Sequence, residues 1–73
     1  MAEFEYAVRG SKKIRINPTE FNNNKYINIR EFFNFQEDGG WKPTKKGVLL
    51  PMEEFNKFVD DMIKLREELK NNG

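Results

Sequence analysis

Residue 51 divides this chain between two hydrophobic periods, and that switch restricts the fold more than any other feature. Before it, apolar residues alternate with polar ones. "EFEYAV" (3–8) places Phe4, Tyr6 and Val8 on one side, and "KIRIN" (13–17) does the same with Ile14 and Ile16. In "KYINIREFFNF" (25–35), Ile27 and Ile29 share one face while Tyr26, Asn28 and Arg30 share the other. Those three stretches carry the period-2 signature of half-buried strands, and "WKPTKKGVLL" (41–50) reads as the return strand of a hairpin, making four. From Pro51 onward, Met52, Phe55, Phe58, Val59, Met62, Ile63, Leu65 and Leu69 recur at helical spacing. Four strands followed by one amphipathic helix is an α+β architecture, and short connections between the strands make the sheet antiparallel.

Punctuation along the chain fits this order. Gly10 and Ser11 form the tip of a first turn, and "TEFNNN" (19–24) reads as a loop holding Phe21 as an isolated large apolar residue. "QEDGG" (36–40) supplies hairpin chemistry. Pro18 is expected to end the second strand, because proline cannot donate to a ladder. Pro43 calls for an edge position or a bulge, and Gly47 for a second irregularity. Pro51 suits the first helical position, Glu53 and Glu54 suit the positive end of the helix dipole, and residues 71–73 (Asn-Asn-Gly) form a natural stop.

Seventy-three residues make one domain, 1–73, with a marginal core. The chain has neither cysteine nor histidine, so disulfides and the usual zinc ligands are excluded and self-association is the remaining staple. The helix supports this. At 100° per residue its apolar positions span an arc of roughly 160°, wider than the stripe of about 100° that one docking face requires. A homodimer joined through the helices is expected, with Phe55, Phe58, Val59, Met62, Ile63, Arg66 and Leu69 at the interface. Arg66 lies inside the arc and is expected either to pair with an acid across the dimer or to snorkel out along its stem.

The near-neutral net charge of +1 conceals a division. Residues 1–50 carry nine Lys/Arg against six Asp/Glu, and residues 51–73 carry four against six. Residues 9–19 hold Arg9, Lys12, Lys13 and Arg15 without an acid, and residues 39–50 hold Lys42, Lys45 and Lys46 without one. Two acid-free basic segments on so small a domain suit a polyanion. Catalysis has little to build on: Ser11, Thr19 and Thr44 are the available hydroxyl nucleophiles, none with a base near it in sequence, and no phosphate-binding glycine loop occurs. No enzyme activity, metal or cofactor is expected. Glu37 and Asp38 fall short of a calcium site. No apolar run approaches the roughly 20 residues of a membrane helix, and a signal-peptide pattern is missing. The expected location is intracellular: bacterial or phage-host cytoplasm, or the nucleus if the source is eukaryotic.

Aromatic residues remain to be placed. Phe55 and Phe58 on the helix, and Phe4 and Tyr6 on the first strand, read as core. Phe32 and Phe33 are adjacent in a strand and point to opposite faces, so they cannot both fill one core. Exposed rings beside Lys25, Arg30, Lys42, Lys45 and Lys46 make a surface on which bases stack while cations follow the phosphates.

"INIREFF" followed by a turn and "WKPTKKGVLLPMEEF" resembles the signature of the transcriptional positive cofactor four family. That signature runs Ile-Asp-Ile-Arg-Glu-Tyr-Trp, an acidic glycine turn, Lys-Pro-Gly-Arg-Lys-Gly, an aliphatic strand and a proline-led amphipathic helix. The resemblance covers residues 12–69 and implies a curved four-stranded antiparallel sheet, a C-terminal helix, homodimers joined through the helices, and grooves for single-stranded DNA. By the same resemblance Phe33 takes the place of a stacking tryptophan and Phe21 that of a second stacking ring. Arg30 matches the arginine of the central strand, and Lys12, Lys42, Lys45 and Lys46 match basic positions of the groove. The chain departs from the pattern at several points. Thr19 replaces an arginine, Asn24 a lysine (with Lys25 beside it) and Thr44 a glycine. The turn is one residue longer, and Trp41 is new, either restoring stacking area or filling core. Phe32 is expected in the core and Phe33 against bases. Arg30 and Phe33, three apart, need a bulge or strong twist to reach one DNA strand.

The reading is a sequence-tolerant, homodimeric single-stranded DNA-binding protein acting on melted DNA. Because the chain starts close to its first strand, without the serine-rich tail common in eukaryotic members, replication, recombination or repair is favoured over regulated coactivation. Partners are single-stranded DNA, a second copy of the chain, and replication or transcription proteins; a membrane is not expected. The alternative is a protein-interaction module whose basic, aromatic hairpin docks an acidic protein. An RNA ligand is the other rival, since nothing in the sequence bears on the 2′-hydroxyl.

Overall fold

A computed structural model describes residues 2–35 and 39–72. Strands β1 (Phe4–Val8), β2 (Lys12–Phe21), β3 (Asn24–Asn34) and β4 (Trp41–Pro51) form one antiparallel sheet in the order β1-β2-β3-β4. A single 3-10 turn (Met52–Glu54) leads into helix α1 (Phe55–Asn72). Pro51 is thus the last strand residue and the N-cap of the 3-10 turn rather than the first helical residue, with no side-chain cap.

Two expectations about the second strand are corrected. β2 runs through Pro18 in unbroken register, with Pro18 opposite Ile27. β1 reaches only as far as Phe4 opposite Ile16, so from Asn17 onward β2 has one open side, where a missing N–H is tolerated. Phe21 accordingly lies not in a loop but at the strand end, opposite Asn24. The connection shrinks to Asn22-Asn23, whose φ values of 51° and 67° are those of a type I′ turn, a conformation asparagine tolerates well. These are the only non-glycine residues with positive φ among those described, so Thr44 fits without backbone strain. The third turn, at residues 36–38, lies outside the described residues.

Cross-strand rows define the two faces of the sheet, since directly opposed residues project to the same side. Phe4–Ile16–Ile29–Val48 and Pro18–Ile27–Leu50 belong to the face that meets α1. Glu5–Arg15–Arg30–Gly47 and Ala7–Lys13–Phe32–Pro43 belong to the other.

The helix-side face is poorly closed. Ile27 is the one buried hydrophobic residue among those described, and no residue of α1 is buried. Phe4 and Tyr6, expected in the core, are 57% and 53% exposed, because edge strand β1 receives little cover from the helix of its own chain. They line an open groove of about 410 Å³ together with Ile16, Phe55, Phe58, Met62 and Arg66. Phe55 and Phe58 are half-buried, their rings stacked at 6.4 Å. The radius of gyration is 14.6 Å, where a compact chain of this length has about 11 Å. Likewise the accessible surface is 6215 Å², where a folded monomer of this mass exposes about 4,700 Å².

Candidate nucleic-acid interface

The face away from α1 collects charge and rings in register. Arg15 and Arg30 stand directly opposite each other on β2 and β3. Like charges so placed repel, and each must find separate compensation. Arg15 Nε meets Glu5 Oε2 at 2.8 Å and Glu3 Oε2 at 3.7 Å. Arg30 turns the other way, its Nη1 donating to the carbonyl oxygen of Thr44 at 2.9 Å. Gly47, opposite Arg30 on β4, leaves the space for that guanidinium: a Cβ there would lie 2.9 Å from Arg30 Cζ.

Two cations on this face, one of them Arg15 again, stand over aromatic rings. Lys13 Nζ stands 4.3 Å from the centre of the Trp41 ring, and Arg15 Cζ stands 4.2 Å from that of Phe32. Both are within cation–π range. Phe32, expected in the core, is therefore half-buried on the opposite side of the sheet, beneath a guanidinium. Trp41, whose role the sequence left open, is half-buried on the same face. Glu5 also binds Lys13, at 3.0 Å, so two of the four cations in residues 9–19 carry an acid partner that a count along the chain could not see. These contacts hold the Glu5 carboxyl below its usual range, chiefly through the hydrogen bonds from Lys13 and then Arg15.

The irregularity demanded by Arg30 and Phe33 is present, but on the neighbouring strand. Register breaks between Arg30, opposite Gly47, and Phe32, opposite Pro43, so residues 44–46 bulge opposite Glu31. Thr44 organises the bulge: its Oγ1 donates to Glu31 Oε1 at 3.2 Å and accepts from the Lys46 N–H at 3.1 Å. Against β2, β3 stays regular from Asn24 to Phe33, so Arg30 and Phe33 remain on opposite pleat faces. Phe33 stands in the row Val8–Lys12–Phe33–Lys42, four residues beyond Ile29 and about 13 Å along the strand. Its ring packs edge-on against Phe35 at 4.8 Å.

The sequence-predicted residues thus fall into distinct groups. Lys12, Phe33 and Lys42 come together at the far end of the helix-side face, while Arg30 and Trp41 share the opposite face. Phe21 is 60% exposed at the β2–β3 hairpin. Lys25 stands opposite Glu20 on that hairpin, and exposed Lys45 and Lys46 occupy the bulge. Among the described residues none of Lys12, Lys25, Lys42, Lys45 and Lys46 is ion-paired. Sequence reasoning overlooked the ring-bearing Phe32 and exposed Phe35 and the acid Glu5. The signal for Glu5 was available, because a hairpin centred on Gly10 brings position 5 opposite position 15. Asn28, central on the same face, donates from Nδ2 to Asn17 Oδ1 at 3.4 Å and leaves its own buried Oδ1 unpartnered among the described residues. Among those residues there is no cluster of metal-ligating side chains, and no helix long and apolar enough to cross a membrane.

Comparison with solved structures returns proteins of this same architecture. A homologue of the coactivator PC4 from Burkholderia pseudomallei aligns with a TM-score of 0.74 at 18% identity, covering 89% of this chain and 86% of that one. A bacteriophage T5 homologue of PC4, implicated in recombination-dependent DNA replication, aligns at 0.71 and 21% identity, with 94% and 80% covered. MoSub1, crystallised with single-stranded DNA, aligns at 0.62 and 28% identity, with 97% and 81% covered. Comparison with curated protein sequences finds no significant match. The sequence profile described as Transcriptional Coactivator p15 (PC4) matches residues 8–61, which is more than two thirds of the chain, and the chain belongs to that family.

Proposed function

We propose that this protein binds single-stranded DNA with little sequence preference and works as a homodimer. The observation that carries the reading is the layer of cations and rings on the sheet face away from α1: Lys13, Arg15 and Arg30 with Trp41 and Phe32. Every base offers a π-face and every nucleotide a phosphate, so such a layer accepts a single strand whatever its sequence. Phe21, Lys45 and Lys46 extend the contact at the hairpin end and the bulge, while Lys25 and the Lys12–Phe33–Lys42 row, on the helix-side face, are reached only by a strand that wraps the sheet edge. MoSub1 in complex with single-stranded DNA supports the ligand class. The T5 homologue favours a role in replication and recombination.

The surface left open supports the dimer. Each protomer exposes about 1,500 Å² more than a folded monomer of its mass, which suits an obligate homodimer rather than a transient contact. The unpartnered residues are the helix arc Val59, Met62, Ile63 and Leu69 and, on the sheet, Phe4 and Tyr6. A second copy supplies matching apolar surface, and an acid for Arg66. Fluorescence anisotropy of a labelled 20-mer, single-stranded and then annealed, at two salt concentrations tests the reading. Tight binding that weakens with salt and prefers the single strand supports it; weak binding to both forms refutes it and leaves the hairpin as a protein-docking surface.

A further inference from the structure

Glu5 occupies a position that the single-stranded DNA reading leaves unexplained. From edge strand β1 its Oε2 binds Lys13 Nζ at 3.0 Å and Arg15 Nε at 2.8 Å on the proposed DNA face. The Lys13 and Arg15 side chains are only 16% and 27% exposed, since each is layered between the carboxylate and a ring, Trp41 or Phe32. A carboxylate and a phosphate are alternative anions for the same donors, so these two cations cannot serve both fully.

We propose that Glu5 is a built-in competitor for the phosphates of single-stranded DNA at Lys13 and Arg15. In the free protein it neutralises the two cations and holds them over the ring faces. DNA entering the face displaces it; the cations move to phosphates and the Trp41 and Phe32 faces are bared for bases. Affinity is thereby set below what the cation count allows, because the binding-competent arrangement must first be released. The acid also relieves Arg15 of its repulsion with Arg30 while no ligand is present. This inference rests on the proposed single-stranded DNA function and makes a claim of its own about one residue.

Glu5→Gln tests it, since the amide keeps the size of the side chain and removes its charge. Binding of a labelled single-stranded 20-mer is measured for both proteins across a salt series. The variant is expected to bind about three- to tenfold more tightly at low salt. Because displacement leaves the same two cations on phosphates in both proteins, the log-log salt slope should agree between them to within about 0.7, the equivalent of one phosphate. Adding Lys13→Gln and Arg15→Gln to the variant should abolish the effect. Trp41 is the sole tryptophan, so its emission should also change in Glu5→Gln before any DNA is added. If the wild type binds and the variant binds equally or more weakly, the competitor role is overturned while the DNA reading stands. If neither protein binds, both fall. Binding by the variant alone would support the competitor role in its strongest form.

Discussion

Gly47→Ala tests how Arg30 is held on the candidate DNA face. A Cβ at position 47 would lie 2.8 Å from the Ile29 carbonyl oxygen, 2.9 Å from Arg30 Cζ and 3.1 Å from Arg30 Cα. An ordinary carbon–oxygen contact is about 3.3 Å or longer, so the closest of these is short by about half an ångström. Two of the three atoms belong to the backbone of β3, directly opposite in the ladder, and cannot swing aside. The guanidinium can swing, but only by giving up its 2.9 Å bond to the Thr44 carbonyl. Overpacking of this kind costs about 1–3 kcal/mol. The lost bond adds about 1 kcal/mol, which brings the expected total to about 2–4 kcal/mol. For a domain of this length, whose whole stability is about 4–11 kcal/mol, that is a large fraction.

The assay is urea unfolding followed by circular dichroism at one fixed protomer concentration, because dimer stability depends on concentration. With a denaturant slope of about 1 kcal/mol per molar, the midpoint should fall by about 2–4 M. Gly10→Ala is the control. It has open space around it and a φ of +75°, so it carries only backbone strain of about 1–2 kcal/mol. Repeating Gly47→Ala in an Arg30→Met background separates the two clashes, since the shorter side chain removes the Cζ contact and leaves the carbonyl one. A Gly47→Ala protein that unfolds within about 0.5 M of the wild type and binds DNA unchanged would refute the packing argument.

Other perturbations address the remaining elements. Phe32→Ala and Phe33→Ala, compared by anisotropy on single-stranded DNA, should each weaken binding by about 1–3 kcal/mol if their ring faces stack; a loss confined to Phe33 would locate the DNA on the Lys12–Phe33–Lys42 row instead. Met62→Glu combined with Ile63→Lys should convert the proposed dimer to a monomer, or unfold it, in light scattering after gel filtration; an unchanged dimer mass would show that the helix arc is not the interface, and a wild type of monomer mass would refute the dimer itself. The lowered pKa of Glu5 fixes the sign of an acid effect: its pairs stabilise the fold fully above the ordinary carboxylate range and lose that contribution as pH falls through the lowered value. The stability gap between wild type and Glu5→Gln, from urea midpoints at a series of pH values, should therefore close toward strongly acid pH. A gap independent of pH would mean that the carboxylate contributes nothing through its charge. Lys57 and Asp61, one helical turn apart at 2.8 Å, carry the matching raised and lowered pKa values, but both are exposed, so Lys57→Ala should leave the unfolding midpoint unmoved.

What the sequence made legible and what it hid have a common physical cause. Strand order, the helix and the β4 irregularity follow from local pattern: alternation, a change of period, and proline and glycine where a ladder must break. Pro18 misled because its effect depends on whether a neighbouring strand covers that stretch of β2, and the length of β1, not the proline, decides this. Phe4 and Tyr6 misled because apolar alternation marks the side that should be covered without saying that the same chain covers it. The paired cations were hidden for a related reason. Glu5 is eight and ten residues from Lys13 and Arg15, so both basic segments look acid-free along the chain, and only the hairpin register brings the carboxylate to them. Charge counted along a sequence therefore overstates the free positive potential of a small antiparallel sheet, where every edge strand can carry its own counter-ion. On this sheet the lysines unpaired among the described residues lie at its ends and in its bulge, while the central cations are already partnered. A polyanion would then be drawn first to the periphery and reach the centre only by exchanging one anion for another, which sets the affinity of the wild type below what its count of basic residues implies.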